Sequence, residues 1–196
     1  GYVFFQTLIL DQNGKIILLT RAPDLRQAQN TSNISDIRIW VDKDGSNPTD
    51  DLKTILNEQN LKGKKIGIEY EAYGMTGRNA LRLNKSLDNY CSVEDQSELI
   101  TKHRVIKSIE EIVYVKKAAE LADKALDEAW NYVKAGASEA KILAEMQKAV
   151  LEGGGDYPAN EYIIGSGHNA LLCRYQSEKR NLSDTDQLSI EWAGTF

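Results

Sequence analysis

The sequence has little cysteine, no long apolar run and no basic block. Its two cysteines, Cys91 and Cys173, are too few to staple a disulfide scaffold. Both sit in runs that a core would bury, so they read as reduced core thiols, a usage that suits a reducing cytoplasm. No stretch approaches the ~20 consecutive apolar residues of a membrane span. The N-terminus, Gly1-Tyr2-Val3-Phe4-Phe5, has neither the basic region nor the cleavage site of a signal peptide. It also lacks an initiator Met, so Gly1 is read as a scar of tag removal and the natural sequence is expected to extend upstream. Lys and Arg number 24 against 29 Asp and Glu, a net charge of -5, which argues against a nucleic-acid surface. What is present is an ordinary globular composition: 41% hydrophobic and 27% charged over 196 residues, room for one large or two small domains.

Residues 3–10 and 15–20 are apolar, strand-like runs around Asp11-Gln12-Asn13-Gly14, which predicts a hairpin. Ile37–Val41 alternates and predicts a third strand; Leu52, Ile55 and Leu56 predict an amphipathic helix over 49–60. A short strand at 66–69, a helix over 76–87 and a strand at 89–93 complete a small α/β layer. His103 falls on a polar linker. Ser108-Ile109-Glu110-Glu111 is a capping box. Behind it Val115, Ala118, Leu121, Ala122, Ala125, Leu126, Ala129, Trp130 and Val133 predict one long helix with a buried face, ended by Gly136. A second helix, capped by Ser138, is predicted to bury Ile142, Leu143, Met146 and Val150 before Gly153. Strands at 162–164 and 188–192 flank Gly165-Ser166-Gly167-His168-Asn169 and a polar run, where Asp184 and Asp186 read as turn residues. Gly153-Gly154-Gly155 is no phosphate loop, because it ends a helix and no Lys-Ser/Thr follows.

Several of these segments, in this order, resemble the M24 or "pita-bread" metallohydrolases: prolidase, aminopeptidase P and creatinase. They are Arg104-Val105-Ile106-Lys107-Ser108-Ile109-Glu110-Glu111-Ile112, Ala118–Asp123, Gly136-Ala137-Ser138-Glu139, and Ile164–Ala170 followed by Leu182–Glu191. Ile66-Gly67-Ile68-Glu69 is similar to a strand of the creatinase-type N-terminal domain. The resemblance implies a creatinase-type N-terminal α/β domain over 1–103. It implies an α+β unit, the N-terminal half of a pita-bread catalytic domain, over 104–196. It also implies a homodimer and a dinuclear site for Mn, Co, Zn or Fe. Paired metals held by carboxylates and a His lower the pKa of a bound water that attacks a carbonyl.

Carried over residue by residue, the family's first metal Asp falls on Glu191, a longer carboxylate that still suits a metal. The remaining ligand positions fall beyond Phe196, so the chain is expected to be a fragment and to bind no metal by itself. Arg174 stands where prolidases carry a His. An Arg does not shuttle protons near neutral pH but clamps a carboxylate bidentately. Its alternative is a surface arginine. His168 beside Ser166-Gly167 is a second catalytic candidate, although it occupies the variable position of its motif and reads equally as a loop residue. Arg174 and Glu191 resemble the ectoine-hydrolase-like or dimethylsulfoniopropionate-lyase-like branch, and point to a small amide, dipeptide or betaine-like substrate. The alternative is a metal-free binding or scaffold module of the same fold. An uncovered strand edge and apolar surface lead to an expectation of self-association.

Overall fold

The computed structural model describes residues 5–172, 174 and 178–196. The chain divides into two compact units, Gly1–Val105 and Ile106–Phe196.

In the first unit β1 (Thr7–Leu10) pairs antiparallel with β2 (Ile16–Arg21), with Leu10 opposite Ile16. The connection is a five-residue loop, residues 11–15, stabilised by the Asp11 carboxylate, which accepts the N–H groups of Asn13 and Lys15. A short turn and α1 (Leu25–Thr31) carry the chain to β3 (Asp36–Trp40), parallel to β2. Next come α2 (Pro48–Glu58), β4 (Lys65–Ile68), α3 (Gly77–Leu87), β5 (Ser92–Asp95) and α4 (Glu98–Val105). Strands β4 and β5 form a separate parallel pair. Apolar strand residues meet the apolar stripes of α2 and α3: Ile17, Leu19, Trp40, Leu52, Ile55, Leu56, Ile68, Leu83 and Leu87 form one core. Cys91 is half-buried against it, and burial raises its thiol pKa; Cys173 lies outside the described residues.

Two local expectations change here. The strand anticipated at 89–93 starts at Ser92, because Asn89 is left-handed at φ 56° and the N–H groups of Tyr90 and Cys91 close a turn on the Leu87 carbonyl. The segment around His103 is helical, within α4, and His103 is exposed there.

In the second unit α5 (Ile109–Tyr132) opens on the capping box: the Ser108 hydroxyl accepts the Glu111 N–H and the Glu111 carboxylate accepts the Ser108 N–H. Then follow α6 (Glu139–Glu152), β6 (Ile163–Ser166) and β7 (Leu188–Glu191), the last two an antiparallel ribbon. The core is Leu121, Ala125 and Ala129 of α5, Ile142, Leu143, Met146 and Val150 of α6, with Tyr162, Ile164 and Leu182. Small alanines at a spacing of four let α6 lie close to α5.

The α5 stripe is buried over a narrower span than its periodicity predicts. Val115 is 51% exposed and Trp130 is 64% exposed. Periodicity marks the face that can be covered; here α6 covers only the Leu121–Ala129 part of it. Helix α5 also ends at Tyr132, before Gly136, whose N–H donates to the Leu182 carbonyl at 2.7 Å. Ser138 occupies the N-cap position of α6, but its side chain makes no capping hydrogen bond. The Glu139 N–H donates instead to the Arg180 carbonyl at 3.0 Å.

Candidate active site

The β6–β7 ribbon organises the residues singled out from sequence. Its register places Ile163 opposite Glu191, Ile164 opposite Ile190, Gly165 opposite Ser189 and Ser166 opposite Leu188. Directly opposed residues share a face. Ile164, Ile190 and Leu188 belong to the core, so the other face carries Ile163, Gly165, Ser189 and Glu191.

After β6 the chain makes a 3-10 turn over Gly167–Leu171 and folds back on that second face. A Cβ on Gly165 would sit 2.3 Å from the Asn169 carbonyl oxygen. Only glycine permits so close an approach. The turn bearing His168 and Asn169 thus lies over the ribbon face that ends in Glu191. Glu191 is exposed at the strand end and His168 is exposed on the turn. Arg174 is exposed on the segment that follows. The ribbon therefore brings Glu191 and the 167–171 turn to one side, while Arg174 is placed only by its position after the turn.

Beneath the opposite face lies a buried polar brace that sequence reasoning did not single out. Glu139, in the first turn of α6, is only 1% exposed. Its Oε1 accepts the Ser166 N–H at 2.8 Å and the Ser166 hydroxyl at 2.7 Å. Its Oε2 accepts the Arg180 N–H at 3.0 Å. The Arg180 guanidinium donates to the Ser166 carbonyl at 2.9 Å and pairs with Asp186 at 3.2 Å. Asp186 in turn accepts the Ser183 N–H at 2.8 Å. That bond, first, and the Arg180 charge hold the Asp186 carboxyl below the usual Asp range. Among the described residues every buried side-chain nitrogen and oxygen has a partner. The brace ties α6, the end of β6 and the polar run before β7 into one support for the turn. In the sequence Glu139 reads only as the end of the Gly136–Glu139 segment, and its bracing part is missed because an acid in the first turn of a helix is ordinary dipole chemistry. Its burial is set by Ser166 and Arg180, 27 and 41 residues away.

Glu191 offers the hard oxygen that a divalent ion prefers. Among the described residues no three His, Cys, Asp or Glu side chains come together as a metal site. The described residues by themselves do not make up a dinuclear centre, and Glu191 stands as a single carboxylate of the kind such a centre uses.

Two family models match the chain: the creatinase/prolidase N-terminal domain over residues 1–106 and metallopeptidase family M24 over residues 113–196. A Xaa-Pro dipeptidase of Pyrococcus horikoshii is 29% identical over 68% of this chain and 37% of its own length. The ectoine hydrolase of Halomonas elongata is 24% identical over 100% of this chain and 53% of its own. The chain thus spans about half, or less, of the length of these relatives. Among solved structures, the X-Pro aminopeptidase of Thermotoga maritima superposes with a TM-score of 0.81 at 20% identity, over 98% of this chain and 50% of that one. A dipeptidase of Pyrococcus horikoshii superposes at 0.70 with 26% identity, over 93% and 48%. The first unit has the creatinase-type fold, and the paired helices and ribbon of the second are part of a pita-bread domain. With one model matched over more than half of it and the other over residues 113–196, the chain belongs to the creatinase/prolidase group of metallopeptidase family M24.

Proposed function

We propose that this chain forms the N-terminal domain and the first part of the catalytic domain of a metal-dependent hydrolase that acts on a small amide, dipeptide or betaine-like substrate. The observation that carries the reading is the ribbon. Glu191 and the turn bearing His168 share one face, in a chain matching both family models. The names of the relatives, Xaa-Pro dipeptidase and ectoine hydrolase, support the substrate class.

Each residue has a proposed part. Glu191 gives one carboxylate ligand to a divalent metal, which when bound would activate a water for attack on the amide carbonyl. Arg174 holds the substrate carboxylate through its planar fork. His168, exposed on the turn, contacts the substrate from the same side as Glu191. The Glu139–Ser166–Arg180 brace fixes the turn that presents it. The proposed domain boundary lies at 103–104, the proposed setting is the cytoplasm, and the proposed assembly is a homodimer. Ile109, Val113, Tyr114 and Val115 on α5 are apolar and at least half exposed, which supports self-association.

The test uses the protein in its full reading frame, supplied with Mn2+, Co2+ or Zn2+, and measures free proline from Gly-Pro beside ring opening of ectoine. Turnover of either substrate, lost in Glu191→Ala and weakened in KM by Arg174→Ala, is the expected result. Absence of turnover together with absence of bound metal overturns the proposal in favour of a metal-free binding module.

A further inference from the structure

In the first unit a cavity of about 390 Å3 opens between the first half of α2 and the second half of α3. Asn47, Asp50 and Lys53, from α2 and its N-cap, line one side, and Arg82, Lys85 and Ser86 of α3 line the other. Sequence spacing explains the convergence. Asp50 and Lys53 are three apart, and Arg82, Lys85 and Ser86 are three and four apart, so each set shares one helix face. The Ser86 hydroxyl donates to the Thr49 carbonyl at 3.3 Å and ties the two helices together. Lys53 and Arg82 are half-buried, and the Lys53 ammonium lies 5.1 Å from the centre of the Tyr90 ring. Three cations against one acid give this lining a positive balance, in a chain whose net charge is -5. Among the described residues Lys53, Arg82 and Lys85 form no ion pair, although Asp50 lines the same cavity. Asp50 has its own reason to be there, since it stands in the first turn of α2, where the helix dipole favours an acid. Arg82 and Lys85 repel each other along α3, which costs the helix stability. Folding therefore does not account for the three cations, whereas an anion held between the helices does.

We infer that this cavity binds a small phosphate monoester with a hydroxylated organic group. The charges agree: three cations less Asp50 leave two positive charges, and a phosphate monoester carries about -1.5 to -2 near pH 7. Arg82 offers a planar fork to two phosphate oxygens, and Lys53 and Lys85 add point charges. The size agrees as well. A phosphate has five heavy atoms and, at a water's share of roughly 30 Å3 each, fills about 150 Å3. The rest of the cavity admits a small organic group. Asp50 and the Ser86 oxygen, whose proton is already given to Thr49, are acceptors, so they suit hydroxyl groups on that part of the ligand.

The test is titration calorimetry of the whole chain at low salt with glycerol 3-phosphate, inorganic phosphate and glycerol, with backbone amide NMR to place the site. Glycerol 3-phosphate is expected to bind and to shift amides within residues 47–53 and 82–86. Inorganic phosphate is expected to bind at least about threefold more weakly, for want of the hydroxyl contacts, and glycerol not at all. Arg82→Gln combined with Lys85→Gln removes two charge-assisted bonds and is expected to weaken the ester at least about tenfold. Lys85→Gln alone, at an exposed position, weakens it in the same direction and guards against misfolding of the double variant. Lys116→Gln, exposed on α5, is expected to leave binding unchanged. No binding of glycerol 3-phosphate, equal binding by these α3 variants, or shifts centred elsewhere overturns the proposal. Inorganic phosphate binding as tightly as the ester also overturns it, since the site then holds a bare anion.

Discussion

Replacing Glu139 by Ala removes the acceptor on which the support of the ribbon turn depends. The carboxylate receives two backbone N–H groups, from Ser166 and Arg180, and one hydroxyl, from Ser166. The hydroxyl can rotate to another acceptor, but the two amides are fixed by the strand and the polar run. Each orphaned buried donor costs about 1–3 kcal/mol. With the cavity left by the side chain, the Ala variant is expected to lose about 3–5 kcal/mol. Glu139→Gln keeps one carbonyl oxygen but turns an NH2 toward one of the same donors, so about 1–3 kcal/mol is expected. The readout is the urea unfolding of the second unit, followed by Trp192, whose indole N–H donates to the Ala122 carbonyl at 2.9 Å. Each unit is compact with a core of its own, so the transition of the second is fitted by itself. A midpoint lowered by about 2–3 M in the Ala variant, with the Gln variant between it and the parent, fits a slope of about 1.5 kcal/mol/M. Faster amide exchange at Ser166 and Arg180 localises the effect. An Ala variant within about 0.5 kcal/mol of the parent, with those amides unchanged, refutes the reasoning, because ordinary surface substitutions fall in that range.

Other consequences are as direct. Gly194→Ala pushes a Cβ to 1.9 Å from the Ala118 carbonyl oxygen on α5, so the segment must move away from the helix. A loss of at least about 1–3 kcal/mol in the second unit is expected by calorimetry or urea. Ser108→Ala removes one half of the capping box at the exposed start of α5 and is expected to cost about 1 kcal/mol. Asp186 titrates below its ordinary value of 3.8 when folded, so its contribution is present above that pH and is lost as pH falls through the lower folded value. The Asp186→Asn variant is therefore expected to show a shallower loss of second-unit stability between neutral pH and the acid range than the parent, measured by urea midpoints against pH; parallel curves contradict it.

Much of the fold is legible from local pattern. The capping box at Ser108, the apolar stripe of α6 and the apolar run of β2 each follow from residues a few positions apart, where periodicity and end chemistry act. What escaped is set by a backbone conformation or by distant partners. The start of β5 depends on a left-handed Asn89, and the narrow buried face of α5 depends on how far α6 reaches along it. The site divides the same way. Glu191 and the His168 turn stand out as motif residues, but the close approach at Gly165 that lays the turn on the Glu191 face depends on folding. Glu139 stands only as the end of the Gly136–Glu139 segment and Arg180 carries no signal, because each looks like a solvent-facing charge until its partner 41 residues away is known.

The central claim is that Glu191 is a metal ligand of a hydrolase in family M24. Its most direct test is the metal content of the full reading-frame protein and its Glu191→Ala variant, measured by inductively coupled plasma mass spectrometry after dialysis against Mn2+, Co2+ or Zn2+. The account predicts bound divalent metal in the parent and a clear loss in the variant, with circular dichroism unchanged because Glu191 is exposed. Equal metal in both proteins, or none in the parent, contradicts it.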